Sequence, residues 1–212
     1  MSETITRSDK FTGQGILDAL DSISYFVDIS GRILAVGRPA WNRLAAENGA
    51  GDALNEKSVI GRKLSDFIAG DEVRDTYEAF MDQLRITPDR KIVVPYRCDA
   101  PHERRDLRLT ITGVRSEGRL TGYLFISTPI STQPRPHLSI FDFQSMLSPS
   151  ERLRSLPFVA VCSYCQRVHR EGEGHAGWVE APEYYRRGGT DAVRLIHRIC
   201  PDCMDGIVSP QL

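Results

Sequence analysis

The stretch Ser24–Val36, SYFVDISGRILAV, holds two apolar runs, Tyr25–Val27 and Ile33–Val36, with Gly31 between them. Apolar runs joined by a short polar segment with glycine read as strand, tight turn, strand, because glycine takes a positive φ at little steric cost. Upstream, Ile16, Leu17 and Leu20 recur at helical spacing, so residues 15–27 read as a short helix entering the first strand. Downstream, Pro39 is suited to the first turn of a helix carrying Trp41, Leu44 and Ala45, broken by Gly49 and Gly51. A second helix is expected from Asp71, read as its cap, with Val73, Tyr77, Phe80, Met81 and Leu84 as a buried stripe. Three apolar segments follow, Lys91–Arg97, Leu107–Val114 and Leu120–Ser127, and their alternation reads as an antiparallel meander. Two strands, a helical middle and three strands define an α+β fold, a five-stranded antiparallel sheet with helices on one face.

The 212 residues exceed the commonest domain size, and a composition of 41% hydrophobic and 26% charged residues is that of a globular chain with a real core. Beyond Ile130 the segment STQPRPH is rich in proline and polar residues, as at the end of a domain. The expected units are therefore 15–130, a joining segment 131–157 with room for a helix, and a small module 158–208. Leu138–Leu147 contains Ile140, Phe141, Phe143, Met146 and Leu147, too apolar for a free linker, and is expected to pack on its own chain. A net charge of −1 argues against a nucleic-acid or membrane partner held by bulk charge. No apolar run approaches a membrane span and Met1–Lys10 has no signal-peptide core, so a cytoplasmic location without membrane insertion is expected.

Four of the five cysteines form two CxxC pairs, Cys162/Cys165 in VCSYCQRV and Cys200/Cys203 in RICPDC, with 34 residues between them. A reducing compartment disfavours disulfides, so the pairs read as ligands. Two thiolates three residues apart can turn back on one ion, and two such knuckles complete the tetrahedral sulfur shell of structural zinc. The module supplies few large apolar side chains, chiefly Phe158, Trp178, Tyr184, Tyr185, Leu195 and Ile196, so a metal would carry much of its stability. The stretch EGEGHAGWVEAPEYYRRGG has room for a hairpin and a short helix. An iron-sulfur cluster on the same thiolates is the alternative cofactor. His197, three residues before Cys200, is a substitute ligand, whereas His169 and His175 stay outside the ligand set. A closed four-sulfur shell leaves no open position for hydrolysis.

The segment Ile23–Ile130, with SYFVDISGRILAV, then VIGRKLSDFI (59–68), then a helix and three strands, resembles a PAS domain. Together with VPYRCDAP (94–101), Arg104 and Arg105, the two CxxC pairs resemble those of small bacterial PAS proteins with a cysteine-rich tail. The resemblance implies a sensing and dimerising module, a homodimer through the PAS domain, and a histidine kinase or another PAS-containing protein as partner. Its ligand stays unassigned: the expected helix Asp71–Leu84 has no histidine to hold haem, and the asparagine-cysteine-arginine motif of flavin-binding light sensors is lacking. Cys98 reads either as a reactive thiol among arginines or as a small half-buried strand residue. Asp99 among Arg97, Arg104 and Arg105 reads as part of a structural charge network.

No phosphate-cradling glycine loop, HExxH or nucleophile elbow is present, so catalysis is not expected. The expected function is non-catalytic sensing and signalling. A redox or iron-sulfur sensor built on the four-cysteine tail and a zinc-containing transcriptional regulator are the alternatives, the latter weakened by the short basic run Tyr184–Arg187.

Overall fold

The computed structural model describes residues 12–47, 51, 53–142 and 155–212. Strands β1 (Ile23–Asp28) and β2 (Ile33–Val36) form the expected hairpin. Gly31 sits in the turn at φ +84°, and the Asp28 carboxylate accepts the backbone N–H groups of Ser30 and Arg32. Helix α1 (Gly13–Ala19) precedes the hairpin; α2 (Arg38–Glu47), α3 (Glu56–Val59), a 3-10 turn (Leu64–Phe67) and α4 (Asp71–Ile86) follow it. Strands β3 (Lys91–Arg97), β4 (Glu103–Ser116) and β5 (Arg119–Pro134) complete an antiparallel sheet of order β2-β1-β5-β4-β3.

Asp71 is the first helical residue of α4 rather than its cap; the cap position is Gly70, at φ +88°. The stripe of α4 is as expected, with Val73, Phe80, Met81 and Leu84 buried against Val27, Ile92, Val94, Leu109, Ile111, Tyr123 and Phe125 of the sheet. The rings of Tyr25, Phe125 and Tyr77 stack in a column between sheet and helix, at 4.8 and 6.2 Å centroid separation and nearly parallel. β4 and β5 run well past the apolar meander. Their ends pair in register, Arg104 with Gln133 and Arg105 with Thr132, so the STQP of STQPRPH is strand. Ser131 and Arg104 both hydrogen-bond Asp106, which satisfies polar groups on this extension.

Strands β6 (Phe158–Cys162), β7 (Val168–His169), β8 (Trp178–Val179) and β9 (Arg194–Arg198) form a second sheet, order β8-β7-β6-β9, with β6 and β9 parallel. Helix α5 (Ala181–Arg186) lies between β8 and β9, and a helical run of changing pitch closes the module: α6 (Pro201–Cys203), a π-helical turn (Met204–Val208) and a 3-10 turn (Ser209–Gln211). Leu138, Ile140 and Phe141 pack on one face of this sheet with Val161, Val168, Val179 and Tyr184; residues 143–147 of that apolar segment lie outside the described residues. Among the described residues no helix is long and apolar enough to cross a membrane.

Several hydrogen bonds tie the module to the larger sheet and to α4. Arg97 N–H donates to Tyr164 O (2.7 Å), Val93 N–H to Gln211 Oε1 (3.3 Å), and Ile199 N–H to Glu72 Oε2 (3.0 Å). A Cβ on Gly70 would lie 2.2 Å from His197 O, so only glycine allows this approach at the start of α4.

At the other end of the fold, Asp18 anchors the start of α2. Its carboxylate accepts the Arg38 backbone N–H (2.9 Å) and the Arg38 guanidinium, which hold its pKa down to about 2. A depressed carboxylate pKa contributes stability above the unfolded value and loses it as pH falls through the folded one. The Asp18→Asn variant is therefore expected to be less stable than the parent above about pH 4, with the difference vanishing near pH 2. Urea titrations at a series of pH values check this; a pH-independent difference would show that Asp18 acts only through geometry.

Candidate metal centre

The first cysteine pair is built on a hairpin. Cys162 ends β6, and the chain turns back through Gln166 at φ +59°, with Gln166 N–H donating to Cys162 O (2.9 Å) and Cys162 N–H to Arg167 O (2.8 Å). The second pair is built differently from the paired knuckles expected from the spacing. Cys200 occupies the cap of α6 and Pro201 its first turn, and Cys203 and Met204 N–H both donate to Cys200 O (3.0 and 2.9 Å). Proline fixes φ where no backbone donor is needed, so CPDC starts a helix rather than a second hairpin.

These two turns bring the sulfurs of Cys162, Cys165, Cys200 and Cys203 within 4.8 Å of one another. Ligands on one zinc at about 2.3 Å in a tetrahedron stand about 3.8 Å apart, so the cluster is close to closure on a single ion. Cys162, Cys200 and Cys203 are buried and Cys165 is half-buried. Arg167 donates to Cys165 Sγ and Cys200 Sγ, both at 3.2 Å, and also to Asp202 Oδ2 (2.6 Å), while Cys200 N–H points at Cys162 Sγ (3.4 Å). Asp202 in turn lies 2.7 Å from His175 Nε2. The guanidinium thus offsets sulfur charge and is itself held in place.

Packed this closely, the thiols do not ionise together. Hydrogen bonds from Cys162 and Cys203 hold the Cys165 thiol far below its ordinary range, and the same contacts push Cys162 up to about 12 and Cys203 higher still. Four thiolates in this space call for a cation.

His197 stands outside the sulfur group: its Nδ1 lies 3.3 Å from Ser163 Oγ, and burial lowers its pKa. His169 Nε2 meets Gly174 O (2.9 Å), with its ring against Trp178. Cys98 lies apart from the cluster; burial pushes its thiol up and Arg105 opposes this, an environment that disfavours a reactive thiolate. Asp99 is fully buried and accepts from Arg97, from Arg135 Nη1 (2.7 Å) and from Arg105 N–H (3.2 Å). Arg97 reaches on to both oxygens of Glu180 (2.9 Å each), so this charge network spans both sheets.

Tyr164 is the residue that spacing alone does not reveal. It lies between the first two cysteines, yet its ring is buried in the cluster that contains Phe80 and Phe125, together with Cys162, Ile199, Cys200, Cys203 and Val208. Its hydroxyl is buried with no hydrogen-bond partner among the described residues. Tyr164→Phe therefore removes no bond and is expected to change stability by less than about 1 kcal/mol with metal content intact, whereas Tyr164→Ala should cost about 3–5 kcal/mol. Urea unfolding with metal analysis of both variants tests the pair; a large loss for phenylalanine would show that the hydroxyl is engaged.

Among solved structures, the chain is similar to a sensory box sensor histidine kinase from Vibrio cholerae (14% identity, 56% of this chain and 89% of that one, TM-score 0.39). It is also similar to a Rhodobacter sphaeroides LOV protein (17% identity, 56% and 65%, TM-score 0.40) and to the PAS domain of an HTR-like protein from Haloarcula marismortui (17% identity, 55% and 88%, TM-score 0.36). No protein-family model matches the sequence, and no curated protein matches it.

Proposed function

We propose that the chain is a non-catalytic sensory and signalling protein. A PAS-like unit over 15–130 would serve ligand binding or dimerisation, and a module over 158–208, joined through 131–157, would hold one structural zinc on Cys162, Cys165, Cys200 and Cys203. The observation that carries the reading is the convergence of these sulfurs within 4.8 Å at a point buried against the larger sheet. Thiolates on an iron-sulfur cluster bind different irons and stand farther apart, so the spacing favours one ion. A zinc here closes its shell with protein ligands and contributes folding energy rather than chemistry. The helical insert between β2 and β3 and the strand order β2-β1-β5-β4-β3 agree with the resemblance to PAS domains. A signal would leave through a second copy of the chain or a PAS-containing partner such as a histidine kinase.

The test is elemental analysis with an absorption spectrum on protein purified without oxygen, beside the double variant Cys162→Ser, Cys200→Ser. One zinc per chain, a colourless solution and a metal-free variant support the reading. Stoichiometric iron with visible absorption would replace it with an iron-based sensor, and absence of bound metal in the parent protein would overturn it.

A further inference from the structure

One face of the second sheet packs on Leu138, Ile140 and Phe141; the other is covered in part, with Ala160 and Cys162 buried and Trp178 packed against the core of the larger sheet. Val159, Val161, Val168 and Val179 alternate toward Leu138, Ile140 and Phe141, so the residues between them must point the other way. Of those residues Phe158, Ala160, His169, Trp178, Ile196 and Arg198 line a single cleft of about 750 Å³, which Val159 and Tyr184 of the opposite face also reach. Glu72 of α4 and Arg187–Gly189, the turn after α5, also line the cleft. Its volume falls in the range of small-molecule sites, and a joint between packed units is where such sites concentrate.

The chemistry of this face departs from a solvated sheet, whose outward positions are usually polar. Phe158 is 53% exposed, and Trp178 stands beside the His169 ring at 4.9 Å. Three arginines, Arg170, Arg187 and Arg198, also line the cleft. Arg170 is paired with Glu173, and Arg187 with Glu173 and Glu183. Arg198 is exposed, and its side chain has no ion pair among the described residues. The acids of the lining are Glu72, whose carboxylate accepts Ile199 N–H, and Glu171. The half-exposed Phe158 ring, with the Arg194 guanidinium 4.4 Å from its centroid, and the partly buried Trp178 ring offer stacking surface, and guanidiniums offer forked donors to carboxylate or phosphate. By contrast, the column of Tyr25, Phe125 and Tyr77 fills space between the larger sheet and α4.

We infer that this cleft is a binding site for a small ligand that joins a planar ring to an anionic group, of the size of a nucleoside monophosphate. The ring lies against Phe158 and Trp178, and the anion meets Arg198. The inference goes beyond the sensory reading and does not depend on which metal the sulfurs hold. Ile199 and Pro201, which flank Cys200, line the same cleft, so a ligand there touches the segment that positions the metal centre.

Isothermal titration of the intact, metal-loaded chain with adenosine 5′-monophosphate tests it, with adenosine and ribose 5-phosphate as the two halves. Saturable binding with a dissociation constant below about 100 μM is expected, with each half about 10-fold weaker or more. Arg198→Ala should weaken binding by about 10-fold with metal content unchanged, because this side chain is exposed and ion-paired to no described residue. No saturable heat, equal affinity for the Arg198→Ala variant, or ribose 5-phosphate binding as tightly as the nucleotide would each overturn the inference.

Discussion

If the four sulfurs hold a metal as proposed, replacing Cys200 by serine is expected to abolish its binding and to loosen the larger sheet as well as the small module. Cys200 is fully buried, and serine supplies neither the soft ligand nor the bulk of sulfur. Structural zinc is worth on the order of 10 kcal/mol of apparent folding free energy, more than a module with so few large apolar side chains can replace. The effect does not stop at the module's edge. Cys162, Tyr164, Ile199, Cys200, Cys203 and Val208 share one buried cluster with Val73, Phe80, Leu109 and Phe125. Hydrogen exchange should therefore show lost protection at the start of α4 and along β3 in addition to β6–β9, and a loss of about 5 kcal/mol would lower the melting midpoint by about 10–20 °C. A metal-free Cys200→Ser protein whose α4 and β3 amides exchange as slowly as the parent's would show that the two parts fold independently.

The second large effect is expected at Asp99, which is not one of the clustered cysteines' neighbours in sequence. Its carboxylate is fully buried between Arg97 and Arg135, whose side chains are only 8% and 13% exposed. Removing one partner from a buried ion network leaves the other charges desolvated and unpaired, at a cost of about 3–5 kcal/mol. Glu180 still holds Arg97 on its outer side, so Asp99→Ala should fall mainly on Arg135, which also donates to Ala100 O (2.7 Å) and lies over the Phe141 ring. Asp99→Asn keeps an acceptor for Arg105 N–H and should cost less. Urea unfolding of both variants measures this, and a loss under about 1 kcal/mol for alanine would mean that the arginines regain water without penalty.

The order of elements is legible in the sequence because each apolar pattern is local. Gly31 marks the first hairpin, the stripe Val73–Leu84 marks α4, and cysteines three apart mark a candidate ligand pair. What escapes is what depends on distant partners. The polar ends of β4 and β5 pair because each supplies the other's backbone bonds, with Asp106 serving Arg104 and Ser131, and no apolar alternation announces this. The parallel pairing of β6 with β9 joins segments far apart in sequence. Tyr164 reads as a variable position inside CxxC, and only the docking of the module makes it a core side chain. Gly70 looks like a loop residue before Asp71, whereas the His197 carbonyl beside it excludes any Cβ. Arg97 and Asp99 are close in sequence and their network was foreseeable; Glu180, 83 positions from Arg97, was not.

The docking of the module also governs what the rim of the larger sheet can do. β3 is its outermost strand on that side, and such a rim normally offers a row of unpaired N–H groups that recruits another chain. Here Val93 N–H is taken by the Gln211 side chain, position 95 is proline and has no N–H, and Arg97 N–H is taken by the Tyr164 carbonyl. The Val93 and Arg97 donors are thus covered by residues of the small module, whereas Pro95 has no donor in any state. If the sulfurs hold an ion as proposed, its loss frees these two donors on either side of Pro95, and the metal-depleted protein is expected to self-associate through β3 more readily than the loaded one.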